Sequence, residues 1–279
     1  MKTYLQSIQE SSIEIFDAKV LLAHVLQIET GALRLHDNSL LTSPQYDLFQ
    51  SMVQRRLAGE PADLIIGSRG FYLGEFKVTP DVLSPRPDTE CIIEGILNHI
   101  SNRKDEPLSI LDLGTGSGCI VISLLMSLNN ANGTGVDIST KALQVARHNA
   151  EVNDVSSKAT FIQSNWLDTI NETFDIIVSN PPYIPTADIE GLQTEVKCFD
   201  PMLALDGGDD GLNPYHIIAQ GAHAHLNPNG IIAVEYGFNQ AEQILEIFTD
   251  NGFEIIDSLY DLNQINRGLL AKRGINTPK

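Results

Sequence analysis

One segment constrains the fold of this chain more than any other. Ser109-Ile-Leu-Asp-Leu113 is an apolar run of strand length, too short for a helix. It passes directly into Gly114-Thr115-Gly116-Ser117-Gly118, and that turn into the apolar stretch Cys119–Leu128. Strand, glycine turn and helix in succession open a βα unit, in which glycines allow a tight turn and a close approach of ligand to backbone. The alternation continues. Strand patterns at Gly133–Asp137, Ala159–Ile162, Phe174–Ser179 and Gly230–Glu235 are interleaved with helical patterns. Those helices run through Ala142, Val145 and Ala146, over Tyr215–Leu226 and over Gln240–Thr249, with terminal strands after them. Thr89–Ile100 precedes the first strand as a helix. This order predicts an α/β fold with a mostly parallel sheet covered on both faces. Ligands of such sheets bind at the carboxyl ends of the strands.

The first part of the chain has a different period. Ile13, Phe16, Ala18, Val20, Leu21, Leu22, Val25 and Leu26 recur at helical spacing. Ser43-Pro44 fits an N-cap followed by proline at the first helical position, opening a helix through Leu48, Met52 and Leu57 that Gly59-Glu60-Pro61 stops. These patterns predict a small helical bundle over residues 1–68. Phe71-Tyr72-Leu73 and Phe76-Lys77-Val78 around Gly74 read as a β-hairpin, so residues 69–87 form a linker and residues 88–279 the α/β domain.

Charge narrows the partners. Lys and Arg number 18 against 36 Asp and Glu, a formal net charge of −18. The excess lies in residues 86–279, net −15, against −3 for residues 1–85. Binding a nucleic acid over a broad surface needs cationic neutralisation of phosphates, so stable nucleic-acid binding is not expected. An acidic face instead attracts basic partners. Cys91, Cys119 and Cys198 have no CxxC spacing and cannot close a disulfide framework. No signal-peptide core and no membrane-length apolar run are visible, and the chain reads as cytoplasmic.

Three places carry chemistry. In Asp112-Leu-Gly-Thr-Gly-Ser-Gly118 the spacing is G-x-G-x-G, neither the dinucleotide fingerprint nor a P-loop. Asp137 ends the next strand, about 20 residues on, where an acidic side chain can take both hydroxyls of a ribose. Together they point to S-adenosylmethionine (AdoMet), with NAD as the competitor. The sharpest signal is Asn180-Pro181-Pro182-Tyr183, directly after the strand Phe174–Ser179. The prolines stiffen the loop. The Asn180 side-chain oxygen and the Pro181 carbonyl can accept the two hydrogens of a planar NH₂ group, and Tyr183 can stack on its face.

The Asn-Pro-Pro-Tyr loop resembles that of methyltransferases acting on planar nitrogens. Further residues narrow the resemblance to the protein-(glutamine-N5) methyltransferases specific for peptide chain release factors, the HemK/PrmC family. They are Arg55-Arg56, Gly59-Glu60-Pro61, Ile66-Gly67, Phe71 and Pro85-Arg86-Pro87-Asp88-Thr89-Glu90. Ile110 to Gly118, Ser164-Asn165-Trp166, Asn180 to Pro185, Asp200-Pro201, Ala204-Leu205, Glu235, Gly237 and Arg267 continue it over nearly the whole chain. The resemblance implies a Rossmann-like AdoMet-dependent methyltransferase domain with a seven-stranded sheet, a helical N-terminal domain that recognises substrate, and a β-hairpin linker. It implies that Gly114, Thr115, Gly116, Ser117 and Gly118 cradle AdoMet and that Asp137 holds its ribose. Asn165 and Trp166 would border the adenine, Asn180 would lie beside the cofactor, and Asn180 to Tyr183 would hold a glutamine amide. The product cofactor would be S-adenosyl-L-homocysteine. The protein substrate would be a class I release factor, met by a monomer without metal or membrane. Asn165 stands where the family often has Asp, Asp200 where it has Glu, and Asn263 where it has Gly.

Other readings have definite marks against them. A nucleic-acid amino-methyltransferase conflicts with the net charge of −18. A glutamine methyltransferase of a ribosomal protein shares the catalytic loop and differs only in substrate. A non-catalytic nucleotide-binding module or an NAD oxidoreductase leaves Asn180–Tyr183 without a role. His223 and His225 point to different faces of a helix and form no metal motif. Arg86 fits equally a ligand carboxylate or an ion pair, and Glu235 either the site or a helix cap. Asp206–Asp210 reads as a solvated loop.

Overall fold

The computed structural model describes residues 2–36 and 38–274. Its helices are α1 (Tyr4–Gln9), α2 (Ile15–Leu26), α3 (Ser43–Leu57), α4 (Ala62–Ile66), α5 (Glu90–His99), α6 (Cys119–Ser127), α7 (Thr140–Val152), α8 (Thr194–Phe199), α9 (Asn213–His225) and α10 (Ala241–Asp250). Its strands are β1 (Ser68–Phe71), β2 (Gly74–Lys77), β3 (Ser109–Leu113), β4 (Asn132–Asp137), β5 (Ala159–Gln163), β6 (Phe174–Ser179), β7 (Leu226–Glu235), β8 (Phe253–Tyr260) and β9 (Asn266–Arg273). They fall into two compact units, one of Met1–Ser68 with Gln193–Phe199, the other of Arg69–Leu192 with Asp200–Lys279.

The first unit is helical. Leu21 and Leu22 of α2, Leu33, Leu41, and Phe49 and Val53 of α3 form its core. Thr42, not Ser43, caps α3. Its hydroxyl accepts from the Gln45 N–H while the Gln45 side chain accepts from the Thr42 N–H, so Ser43 and Pro44 are the first helical residues. This reciprocal pair satisfies two donors that a serine at the next position would have left open. Arg56 near the end of α3 donates to Asp17 of α2 at 2.5 Å and also to Glu195 of α8. Gln193–Phe199 thus groups with the N-terminal helices although it lies far along the chain.

The second unit is a seven-stranded sheet in the order β5-β4-β3-β6-β7-β9-β8. All neighbours are parallel up to β7, and β9 runs antiparallel to both β7 and β8. Successive residues of a strand face opposite sides, and both sides are apolar. Ile110, Ile176 and Val178 pack under α5 and α6 with Ile92, Ile96, Val121 and Leu124. Leu111, Ile177, Ile232 and Val234 pack under α9 and α10 with Tyr215, Ile218, Ile244 and Phe248. A sheet covered on both faces explains the near-continuous apolar strands. Helix α6 is buried from Ile120 through Leu125, which matches its apolar sequence on all sides.

The topology fixes where a ligand can sit. The chain runs from β3 outward to β4 and β5, then returns to β6 on the other side of β3. The strand order therefore reverses between β3 and β6, and their carboxyl ends open a crevice. Leu113 pairs with Ser179, so the glycine turn and Asn180 leave the sheet side by side.

The hairpin differs in register from its expectation. Tyr72 takes a left-handed conformation (φ 51°) and, with Leu73, makes the turn instead of strand. Residues 69–87 pack within the second unit. The Asn149 side chain of α7 accepts from Lys77 N–H at 2.8 Å and donates back to the Lys77 carbonyl at 3.2 Å, acting as a surrogate strand. Among the described residues no helix is long and apolar enough to cross a membrane.

Candidate active site

A cavity of about 640 Å³ opens over the carboxyl ends of β3, β4 and β6. That is the size range of small-molecule and cofactor sites. Gly114, Thr115, Gly116, Ser117, Asp137, Asn165, Trp166, Asn180 and Pro182 all line it. Residues spread over some seventy positions of sequence are thus brought to one wall. Gly118, Pro181 and Tyr183 do not line it.

The glycine turn is held in a conformation that side chains resist. Gly114, Gly116 and Gly118 have φ of 70°, 54° and 80°, the left-handed region that only glycine enters freely. Gly118 also supplies the N-cap of α6, and a Cβ there would meet Ile122 at 2.8 Å. It therefore shapes the turn from behind the wall. Thr115 N–H donates to the Val136 carbonyl, tying the turn to β4.

Two carboxylates stand at this turn. Asp137 accepts from the Gly116 N–H at 2.9 Å and from the Ser139 N–H at 2.8 Å. Burial raises its pKa, opposed by those backbone bonds. A carboxylate has about four lone-pair positions, and with the Ile138 backbone also bonding to it, acceptor capacity remains for a ligand hydroxyl. Ser139 itself caps α7, accepting from Ala142 N–H, so Asp137 is not that cap. Asp112 lies behind the wall, 1% exposed. Its Oδ2 accepts from the Thr115 hydroxyl at 2.7 Å, while Oδ1 is buried without a partner. Burial pushes this carboxyl up to about 7. Cys119 has a thiol that desolvation pushes up to about 12, so it stays protonated and is a poor nucleophile.

Asn165 donates to Asp168 at 3.0 Å, and Trp166 takes φ 51°. The indole packs against the apolar layer below α9 and faces Gly114 across the cavity mouth, 3.7 Å from where a Cβ on that glycine would sit.

Asn180 projects from the end of β6 and donates through Nδ2 to the Thr89 hydroxyl at 3.3 Å. Tyr183 packs against the same apolar layer as Trp166, and burial pushes its hydroxyl up to about 12, so it remains protonated. Its carbonyl accepts from the Gln240 side chain at 2.9 Å.

Asp206–Asp210 is not a loose solvated loop. Ile184 N–H donates to the Leu205 carbonyl, and Gly207 N–H returns to the Ile184 carbonyl. A Cβ on Gly207 would lie 2.9 Å from the Pro182 carbonyl oxygen. The glycines let this loop brace the Asn-Pro-Pro-Tyr segment from outside, and Gly207 and Gly208 join the cavity wall.

Arg86 lines the cavity and donates to Asp200 at 2.8 Å. The ion-pair reading of Arg86 is therefore realised. Glu235 ends β7, and its neighbour Val234 pairs with Ser179, so Glu235 stands beside Asn180. It is a site-end residue, not a helix cap.

Sequence reasoning missed part of the wall: Pro80 to Pro85 of the hairpin exit, Thr89, and Leu203, Ala204 and Ile217. Of these, Pro85, Thr89 and Ala204 stood in segments that carried the resemblance, without a site role assigned to them.

The methyltransferase small domain model matches residues 93–197, and the PrmC N-terminal domain model matches residues 2–67. A release factor glutamine methyltransferase of Rhodospirillum rubrum is 41% identical over 260 residues, covering 92% of this chain and 78% of the relative. Its counterpart in Agrobacterium fabrum is 39% identical over 261 residues, covering 93% and 90%. Among solved structures, a methyltransferase from Pyrococcus furiosus shares the fold at TM-score 0.54 and 19% identity, over 80% of this chain and 98% of that one. The cavity, its glycine turn and its Asn-Pro-Pro-Tyr loop thus sit in a sequence with close relatives along most of their length, and this chain belongs to the release factor glutamine methyltransferase family.

Proposed function

We infer that this protein transfers a methyl group from AdoMet to the side-chain N5 of the glutamine in the Gly-Gly-Gln motif of class I release factors, leaving S-adenosyl-L-homocysteine. The observation that carries the reading is that Gly114–Ser117 and Asn180 line one cavity. A nucleoside-bearing cofactor and a planar amide can then meet there.

The chain's own residues fit AdoMet. Asp137 keeps acceptor capacity for ribose hydroxyls, and Trp166 and Asn165 offer an aromatic wall and an amide for adenine. Asp81, Asp137 and Asp206 on the wall suit a cationic ligand. AdoMet supplies an activated methyl on a positive sulfur.

An amide nitrogen is a poor nucleophile because its lone pair is delocalised. In this reading Asn180 Oδ1 and the Pro181 carbonyl accept its two hydrogens and fix the amide plane. Those bonds strengthen as nitrogen gains positive charge, which is differential binding of the transition state. Holding nitrogen, methyl carbon and sulfur in line supplies much of the rest, on the order of 7–11 kcal/mol at ideal alignment. The N–C bond forms as the C–S bond breaks, and the acidic product nitrogen releases its proton to water. No carboxylate acts as general base. Pro182 walls the methyl path, and Tyr183, packed on the apolar layer below, backs the loop that presents Asn180 to the amide.

The reading assigns residues 1–68 to release factor recognition, residues 69–87 to the connection and residues 88–279 to chemistry. It includes a monomer in the cytoplasm that needs no metal and holds no nucleic acid stably, in keeping with a net charge of −18. The test is transfer of labelled methyl from AdoMet to purified release factor, beside a release factor with the Gly-Gly-Gln glutamine changed to alanine. Label on the first alone is expected. Equal label on both, or none on either while AdoMet binds, overturns the substrate.

A further inference from the structure

Glu235 has no part in the mechanism above, yet it is a carboxylate beside Asn180 at the strand ends. It is 4% exposed, and its Oε2 is buried without a hydrogen-bond partner. Its backbone is fixed, since the Tyr215 hydroxyl donates to its carbonyl at 2.8 Å. A buried carboxylate half unsatisfied is costly, so its retention calls for a reason. The register of β6 and β7 sets Glu235 beside Asn180, and hydrogen bonding from the Thr89 and Asn180 side chains acts to lower its pKa.

That pairing decides which way the Asn180 amide faces. An ionised carboxylate only accepts hydrogen bonds. Asn180 must therefore turn its NH₂ toward the protein, where one hydrogen goes to the Thr89 hydroxyl at 3.3 Å. Its Oδ1 is then the end left for the cavity. The reverse rotamer would present N–H groups to a substrate NH₂, donor against donor. We propose that Glu235, directly and through Thr89, is a positioning residue that locks the Asn180 amide with Nδ2 inward and Oδ1 toward the substrate. This rests on the glutamine-methylating reading for its consequence, though not for the geometry.

The lock depends on charge. A protonated Glu235 can donate to Asn180 Oδ1 and so stabilise the reversed amide. Burial pushes Glu235 up to about 7, with Asp88 raising it and Arg267 lowering it. The other titratable groups that sense Glu235 are Cys91, Cys119, Tyr183 and Tyr215, all held protonated and neutral by burial. None of these gains or loses charge near neutral pH. Asp112, behind the glycine turn on the strand next to β6, is also pushed up to about 7, so the Glu235→Gln variant is what assigns a rise near that pH to Glu235.

The test compares wild type with Glu235→Gln, Thr89→Val and Thr89→Ser at saturating AdoMet and release factor. In wild type kcat rises as pH increases through about 7. Glu235→Gln lowers kcat by ~tenfold or more, in line with loss of a charged hydrogen bond, flattens that rise, and leaves KM for AdoMet near wild type. Thr89→Val follows it and Thr89→Ser restores most of the rate. Independently of any substrate, the Asn180 side-chain N–H hydrogens exchange slowly with solvent by NMR in wild type and faster in Thr89→Val. A Glu235→Gln enzyme with wild-type kcat, or with the same pH rise, overturns the proposal. So does equal Asn180 exchange in wild type and Thr89→Val. If wild type fails to methylate release factor, the functional reading falls, while the exchange measurement still decides the lock.

Discussion

The backbone N–H of Gly116 donates to Oδ2 of Asp137 at 2.9 Å. The glycine turn after β3 and the end of β4 are thus joined through one side chain before any ligand arrives. The other oxygen of that carboxylate holds the Ser139 N–H, at the start of α7. A residue expected to grip a ribose also builds the wall it grips from.

Asp137→Ala therefore carries two losses. The Gly116 and Ser139 donors lose their acceptor, at about 1–3 kcal/mol for each left unsatisfied. The ribose acceptor disappears as well. The expected outcome is at least ~tenfold weaker AdoMet binding by calorimetry together with a lower melting temperature. Asp137→Asn keeps one acceptor and falls between. An alanine variant with unchanged AdoMet affinity removes Asp137 from the cofactor site.

Asn180→Ala separates catalysis from cofactor binding. It removes the acceptor proposed for the substrate amide and leaves Gly114–Ser117 and Asp137 in place. Turnover on release factor is expected to drop at least ~tenfold, the cost of one unpaired buried N–H, with AdoMet affinity within about threefold of wild type. Near-wild-type turnover in this variant rules out the role given to Asn180.

Stability has a pH signature of defined sign. Asp112 and Glu235 are each pushed up to about 7 in the folded protein by burial. Unfolded, they return to ordinary carboxylate values near 4. Between these limits the folded state binds more protons, so ligand-free stability falls as pH rises from about 4 to about 7. Asp175 has the opposite sign, because bonds from Ser109 and Asn227 and the charge of Arg103 outweigh burial and lower it. Its contribution is present above about 4 and is lost as pH falls further. Urea melts across pH should show the decline toward neutrality, and Asp112→Asn should flatten it. A slope unchanged in Asp112→Asn contradicts the buried, raised carboxyl.

Much of this was legible because short-range signals agreed with one another. Ser109–Leu113 and Phe174–Ser179 are strands with the very limits their apolar runs suggested. They lie side by side, buried on both faces, where pattern and packing impose the same demand. The signals at Gly114–Gly118, Asp137 and Asn180 converge because parallel strands put their loops at one end. What was not legible depends on contacts distant in sequence. Nothing local tells that Thr89 meets Asn180, or that Glu235 is its neighbour through the β6–β7 register. Short pieces such as Ala62–Ile66 and Thr194–Phe199 are a turn or two long and take their helicity from packing. Asp206–Asp210 looked solvated because its composition is polar, yet its glycines serve close approach to the Pro182 and Tyr183 backbone. Tyr183 shows the reverse case, an aromatic whose motif suggests a ligand face but which lies off the cavity lining.

Gly211 offers a test of that brace at a residue that is not itself part of the cavity lining. Its φ is 77°, and an added Cβ would lie 2.3 Å from the Tyr183 carbonyl oxygen and 2.8 Å from Gln240 Nε2. That carbonyl is itself the acceptor for Gln240. Gly211→Ala must therefore pay the left-handed penalty of ~1–2 kcal/mol and also displace the end of the Asn-Pro-Pro-Tyr loop or break its bond to Gln240. The loop carries Asn180, whereas the glycine turn and Asp137 stand on other strand ends. Expected results are a melting temperature several degrees lower, kcat reduced by about tenfold or more as alignment is lost, and AdoMet affinity within about twofold. Gly191→Ala is the matched control, since nothing lies within 4 Å of its Cβ position and its φ is not left-handed, and it should leave all three unchanged. A Gly211→Ala enzyme as stable and as fast as wild type would show that the Asp206–Gly211 loop does not hold the catalytic segment.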